Sequence, residues 1–318
     1  MQETIIGTNQ AGQRLDKFLH KYLPLANSSF LYKMLRKKNI TLNGKKAEGR
    51  ELLKEGDVVA TFFSEETFQK FTGQESVSEY LNAYKELKGI DILYEDEDIL
   101  LLNKPAGLLT QKAKANDLSI NEWLTGYLLS AGKLKSSELR TFHPSVCNRL
   151  DRNTSGIVLC GRSLKGSQEL GKMIKERSIR KFYRTICLGK ISETAHIEGY
   201  LSKDRNSNKV SVHESPQSTS DVPIKTAYQP LSVSSEFTLL EVELITGKTH
   251  QIRAHLASTG HPLIGDYKYG NLKINNNLKE NYQLEHQLLH AYRVTFPDGR
   301  TFTAPCPRQF QMLEKALL

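Results

Sequence analysis

The stretch HPSVCNRLDRNTSGIVLCGRS (residues 143–163) sets one carboxylate, Asp151, between Arg149 and Arg152, makes a polar turn, and then enters an apolar run at 157–160. Taken alone, Asp-Arg-Asn-Thr-Ser-Gly is ordinary turn chemistry, because these side chains bond their own backbone and tolerate unusual dihedrals. A short apolar run bounded by such a turn reads as a buried strand. Working outward, further strands are expected at 90–94, 99–102, 181–188, 209–213, 224–231, 237–245 and 291–297, and helices at 118–130, 164–176 and 249–259. Strands outnumber helices and do not alternate with them regularly. The fold class expected is therefore α+β, with a mostly antiparallel mixed sheet rather than a doubly wound one.

The chain has 318 residues, enough for one large domain and a small one. Its formal charge of +9 favours a polyanionic partner or an acidic membrane surface. No apolar stretch approaches the length of a bilayer span, and the start, MQETIIGTNQ, has neither the basic nor the apolar region of a signal peptide. Cys147, Cys160, Cys187 and Cys306 are scattered and form no C-x-x-C pair. They read as reduced thiols of a cytoplasmic protein, not as a disulfide frame or a zinc site.

The front of the chain is basic. Leu15, Phe18, Leu19, Tyr22 and Leu23 recur at helical spacing until Pro24, and Asn27 to Ser29 offer caps for a second helix that buries Leu31, Met34 and Leu35. Its other face and the next hairpin carry Lys33, Arg36, Lys37, Lys38, Lys45, Lys46 and Arg50 against a single acid, Glu48. Asn43-Gly44 predicts a type I′ turn, and a strand at 57–63 closes the unit. So many cations on so few residues suit a phosphate backbone. Two helices beside a tight hairpin, with the stretch RLDKFL…LYKMLRKKNITLNGKKAEGRELLKEGDVV, resemble the S4 RNA-binding domain. Residues 1–63 are assigned to that module, 64–88 to a polar linker with a short helix at 75–87, and 89–318 to the large domain.

Three stretches of the large domain, RLDRNTSGIVLCGRS (149–163), KFYRTICLG (181–189) and TGKTHQIRAHLASTGHPLIGDYKYG (246–270), resemble the three motifs of the RluA family of RNA pseudouridine synthases. NKPAG (103–107) and LLHAYRVTFPDG (288–299) match two more family stretches; Asn148 stands where the family often has histidine. With an S4-like unit in front, the resemblance is to the subgroup that modifies large-subunit ribosomal RNA. It implies the pseudouridine synthase fold, 23S rRNA as substrate, no cofactor and no obligatory protein partner. It also implies a catalytic set of Asp151, Tyr183 and Arg253.

That set makes chemical sense. Forming pseudouridine breaks the N1–C1′ bond, turns the uracil and joins C5 to C1′, without oxidation or an imported group. A carboxylate is needed beside the ribose, as nucleophile at C1′ or base at C2′, and Asp151 fits. A retaining glycosidase needs a second carboxyl to protonate an alcohol leaving group; uracil leaves as a delocalised anion, so one suffices. Arg253 matches the position that holds the acid charged and oriented. Tyr183 matches the position that packs on the flipped base and manages the C5 proton. Arg149 and Arg152 flank the acid and suit the phosphates of the flipped nucleotide, while Thr154, Ser155 and Gly156 shape its loop. Lys104 and His250 are placed near the cleft but outside the catalytic set, since a lysine before Pro-Ala-Gly is often a solvated turn.

Other chemistries fit less well. A gap of five between His250 and His255 turns about 140° on a helix, and no H-E-x-x-H exists. Gly247-Lys248-Thr249 ends like a P-loop, but Val242 stands where its first glycine belongs. The zinc deaminase elements are missing. The alternative from another class is a non-catalytic S4-type RNA-binding or ribosome-assembly factor, which needs none of Asp151, Tyr183 and Arg253.

Overall fold

The computed structural model describes residues 1–72, 77–204 and 209–318. The front module begins with β1 (Gln2–Ile5), α1 (Leu15–Tyr22) and α2 (Ser28–Arg36), followed by β2 (Ile40–Leu42), β3 (Lys45–Lys46) and β4 (Val58–Thr61). The strands form an antiparallel sheet in the order β1-β4-β2-β3. Asn27 caps α2 by accepting from Phe30 N–H. Asn43 and Gly44 both have positive φ, as a type I′ turn demands. The apolar sides of both helices meet Ile40 and Val59 in one core, which leaves Lys33, Arg36, Lys37, Lys38, Lys45 and Lys46 exposed.

Helices occupy much of the segment expected as a polar linker. Helix α3 (Glu65–Phe71) is capped by Ser64, and its Phe68 and Phe71 extend the front core; the Phe30 and Phe71 rings lie 4.3 Å apart. Helix α4 (Val77–Glu86) packs instead on the large domain, where Tyr84 meets Trp123 and Tyr127. Gly126 permits this contact, since a Cβ there would lie 2.0 Å from the Tyr80 carbonyl oxygen. The overall polarity of 64–88 hides two pairs of aromatics at helical spacing, Phe68/Phe71 and Tyr80/Tyr84, and each pair finds a core. Residues 75–76 of the expected short helix lie outside the described residues.

The large domain continues through β5 (Asp91–Glu95), β6 (Ile99–Lys104), α5 (Ile120–Ser130), β7 (Ser145–Val146), β8 (Ser155–Gly161), α6 (Leu164–Lys175), β9 (Arg180–Leu188), β10 (Ala195–Lys203), β11 (Val210–His213), β12 (Val222–Val233), β13 (Phe237–Leu244), α7 (Gln251–Ser258), α8 (Leu272–Tyr282), β14 (Leu289–Thr295), β15 (Thr301–Thr303) and α9 (Arg308–Leu317). Its sheet runs β11-β10-β12-β13-β9-β14-β8-β6-β5, with β15 on β14 and β7 on β8. Among the described strand pairs of this sheet only β14–β8 is parallel, so the sheet is mixed and mostly antiparallel, as expected.

The apolar runs in β6 and β8 follow from burial on both faces. Leu100, Leu102, Val158 and Cys160 point into one core with α5, while Ile99, Leu101, Ile157 and Leu159 point into another with Leu170 of α6. Strands β7, β10 and β15 and helices α8 and α9 are additions to the large-domain elements expected from the sequence. In α8 three consecutive asparagines mask the apolar stripe, yet Asn275 is buried and bonded to Gly265 N–H and the Asp266 carbonyl. That contact steadies the loop beyond α7.

Candidate active site

Asp151 sits in a tight turn just ahead of β8, closed by the Thr154 N–H to Asp151 carbonyl bond of 3.0 Å. Its neighbours on both sides are anchored to another loop. Thr110 Oγ1 donates to the Leu150 carbonyl and accepts from Leu150 N–H. The Arg152 carbonyl accepts from Gly107 N–H and from Lys104 Nζ, and Arg152 Nε donates back to the Gly107 carbonyl.

Lys104 is therefore no solvated turn. It is fully buried, and its ammonium donates to the carbonyls of Pro105, Leu108 and Arg152 at 2.9–3.0 Å. Burial pulls its pKa down to about 7, while the nearby Asp151 charge favours the protonated form. The glycine ending R-L-D-x-x-T-S-G has its own reason: Gly156 has φ of 112°, and a Cβ there would lie 2.2 Å from the Ala291 carbonyl oxygen on β14. Asn148 serves the same neighbourhood, accepting from Leu159 N–H at 2.7 Å.

Arg253 reaches the acid from α7. Its Nη1 donates to Asp151 Oδ2 at 2.9 Å, and its Nε and Nη2 grip both oxygens of Asp266 at 2.7 and 2.9 Å. The plainest expectation for an arginine on such a short helix is a surface ion pair, but Arg253 is buried and bridges two carboxylates. Burial opposes its charge; the bonds to Asp266 and Asp151 outweigh this and hold it above its ordinary range. Asp266 is 1% exposed and also accepts from Lys268 and Tyr269 N–H, so the fork rests on a fixed base. Sequence reasoning missed Asp266, although it lies inside the third motif-like stretch.

Tyr183, on β9, lines the same cavity as Asp151 and Arg253, together with Arg149, Lys248 and His250. Burial, followed by the Asp151 charge, pushes the phenol well above its ordinary pKa, so it is neutral near pH 7. A neutral phenol packs on a base and relays a proton, but it does not act as a standing phenolate. The cleft continues past Arg149 and Arg152 along Lys181, Lys203 and Lys248, three cations that sequence reasoning also missed. Lys33, Arg36, Lys37, Lys38, Lys45 and Lys46 do not line this cleft; they form a separate patch on the front module.

The three histidines of the third stretch diverge. His250 bonds Tyr269, His255 bonds Thr226 and His261 bonds the Leu188 carbonyl. All four cysteines are free thiols, and among the described residues no helix is long and apolar enough to cross a membrane.

Residues 98–258 match the RNA pseudouridylate synthase family. A Mycoplasma genitalium protein named as an uncharacterized RNA pseudouridine synthase is 30% identical over 314 residues, covering 98% of this chain and 94% of its own length. The ribosomal large subunit pseudouridine synthase C of Vibrio parahaemolyticus is 29% identical, covering 92% of this chain and 87% of itself. The solved structure of human RNA pseudouridylate synthase domain containing 4 shares the fold, with a TM-score of 0.60 at 21% identity over 74% of this chain and 96% of that one. The family match runs through the Asp151 turn, the Tyr183 strand and the Arg253 helix, and the chain belongs to the RNA pseudouridylate synthase family of enzymes.

Proposed function

We propose that this enzyme converts specific uridines of 23S ribosomal RNA to pseudouridine in the cytoplasm, with Asp151, Arg253 and Tyr183 as its catalytic set. The observation that carries the reading is the Arg253 bridge. One buried guanidinium, clamped by Asp266, donates to Asp151 beside Tyr183 in a single cavity. A passive RNA binder has no use for a carboxylate oriented in this way.

Both protein contacts go to Asp151 Oδ2, which leaves Oδ1 to face the sugar as nucleophile at C1′ or base at C2′. Arg253 pairs with the acid and keeps it aimed as water is displaced. In either course the N1–C1′ bond breaks, C5 bonds to C1′, C5 loses its proton and N1 gains one. Tyr183 packs on the flipped uracil and relays the C5 proton. Arg149, Arg152, Lys181 and Lys248 suit the phosphates on either side of the target.

The 23S preference is argued from the names of the relatives and from the S4-like front module, whose exposed cations suit an RNA backbone. The domain division proposed keeps 1–63 as the RNA-binding unit and 89–318 as the catalytic unit. The test is a map of pseudouridines in ribosomal and transfer RNA from cells with and without the gene. Loss of particular 23S sites supports the reading, whereas an unchanged 23S map with lost tRNA sites overturns the substrate assignment.

A further inference from the structure

Beside Asp151 the cavity holds one more polar atom whose direction is set by the fold. His250 caps α7 with φ of 52°, a left-handed conformation that a histidine keeps only when its surroundings impose it. Its Nδ1 lies 2.9 Å from Tyr269 Oη, and that oxygen accepts from Val210 N–H at 3.0 Å. With the oxygen already accepting one N–H, donation to Nδ1 gives the phenol proton its acceptor. The ring proton then belongs on Nε2. Burial pushes the His250 pKa below its ordinary value, although the Asp151 charge opposes this, so the ring is neutral near pH 7.

Nε2 lies 3.8 Å from Asp151 Oδ2, too far for a hydrogen bond. An oxygen about 2.8 Å from each would close the gap, accepting from Nε2–H and donating to the carboxylate. Only a hydroxyl or a water does both. Within an RNA chain the 3′ and 5′ oxygens are esterified, and no atom of uracil both donates and accepts. The one hydroxyl of the target nucleotide is therefore the 2′-OH, adjacent to the carbons on which Asp151 acts.

We propose that His250 is the ribose-recognising residue of this site: its Nε2–H donates to the 2′-oxygen of the target uridine while that hydroxyl donates to Asp151 Oδ2. Tyr269 is the positioning residue that fixes the tautomer. The pair then separates RNA from DNA at the reacting nucleotide, a distinction that phosphate contacts do not make. The proposal rests on Asp151 working at the sugar.

The test uses a synthetic fragment of large-subunit ribosomal RNA containing a uridine shown by mapping to be modified. It is made twice, with ribose or 2′-deoxyribose at that nucleotide alone. The readout is the ratio of kcat/KM for the two RNAs, compared between wild type and variants, so that altered reactivity of the deoxy sugar cancels. Losing the hydroxyl is expected to cost wild type about tenfold more than it costs His250→Ala, the size of one buried hydrogen bond. His250→Gln, which keeps an N–H at similar reach, retains most of that discrimination. Tyr269→Phe lowers it severalfold without touching RNA itself, and serves as the comparison should the alanine variant fail to fold. Equal ratios for wild type and the variants, with wild type active on the ribose RNA, overturn the proposal and leave the enzyme's function standing; water then fills the gap. A wild-type enzyme inactive on the ribose RNA would instead overturn the reading of the Asp151 site.

Discussion

The cations of the front module and the two buried cations around Asp151 are held in opposite ways. Lys33, Arg36, Lys37, Lys38, Lys45 and Lys46 are exposed on a helix face and a hairpin. Water and salt screen them, so each contributes little by itself and tolerates imprecise placement. Around Asp151 two cations are buried: Lys104, behind the Asp151 loop, donates to three carbonyls, and Arg253, lining the cleft, reaches two carboxylates through all three of its nitrogens. A buried charge is costly unless it is paired, and once paired it fixes its partner's position. The patch suits affinity and the cleft suits geometry, so damage to each should appear in different measurements.

The largest effect is expected where geometry and charge coincide. Asp151→Asn keeps the shape and removes the ionised oxygen; turnover should fall on the order of 10²–10⁴-fold while RNA affinity stays nearly unchanged. Tritium release from C5-labelled RNA measures it, and a decrease below tenfold would remove Asp151 from the chemistry. Arg253→Ala strands Asp151 and Asp266 without their shared cation, which destabilises the fold by about 3–5 kcal/mol; because Asp151 is then no longer aimed, kcat should also fall roughly a hundredfold or more. Arg253→Lys should recover only part, because an ammonium cannot grip Asp266 with two parallel bonds and still reach Asp151. A lysine variant equal to wild type would mean that charge alone matters.

A third way of handling a potential cation lies behind the Asp151 loop. His290, on β14, is fully buried between Ser155 Oγ and the Ala304 carbonyl, and burial pushes its pKa down to about 4. The unfolded chain takes up that proton near pH 6.5 and the folded one only near 4, so the unfolded state binds more protons between them. Stability is therefore lost as pH falls from 6.5 toward 4, by roughly 3 kcal/mol at most. His290→Gln should flatten that limb in urea unfolding between pH 4 and 7. An equally steep limb would place the acid sensitivity elsewhere.

What the sequence revealed of this contrast follows the reach of each interaction. Asp151, Tyr183 and Arg253 were legible because each sits in a stretch resembling a known motif, and the cationic face was legible from local spacing. The status of Lys104 was not: three carbonyls surround its ammonium, one of them on Arg152, 48 residues away. No local pattern separates it from a solvated turn. Asp266 was missed for a similar reason, since its role exists only once α7 brings Arg253 against it. The short helix expected at 75–87 is present as α4, whereas α3 escaped because its amphipathic side is one short aromatic pair whose partners belong to the front core.

The smallest effect on chemistry, and the one that tests the exposed side of the comparison, comes from the front patch. Replacing Lys33, Arg36, Lys37, Lys38, Lys45 and Lys46 with glutamine leaves the front core untouched, because all six side chains are exposed. None of them lines the cleft, so kcat at saturating RNA should match wild type. Affinity should fall, since each phosphate neutralised by the protein releases a counterion on binding. The slope of log K against log salt should flatten by roughly 0.7–0.9 for each phosphate that is no longer neutralised. Titrating wild type and variant with a large-subunit ribosomal RNA fragment across a salt series gives both slopes. Equal slopes would show that the patch does not touch RNA, and the front module would then need another partner. A flatter slope accompanied by a lower kcat would show that the two regions are coupled, with the patch helping to place the uridine as well as to hold the RNA.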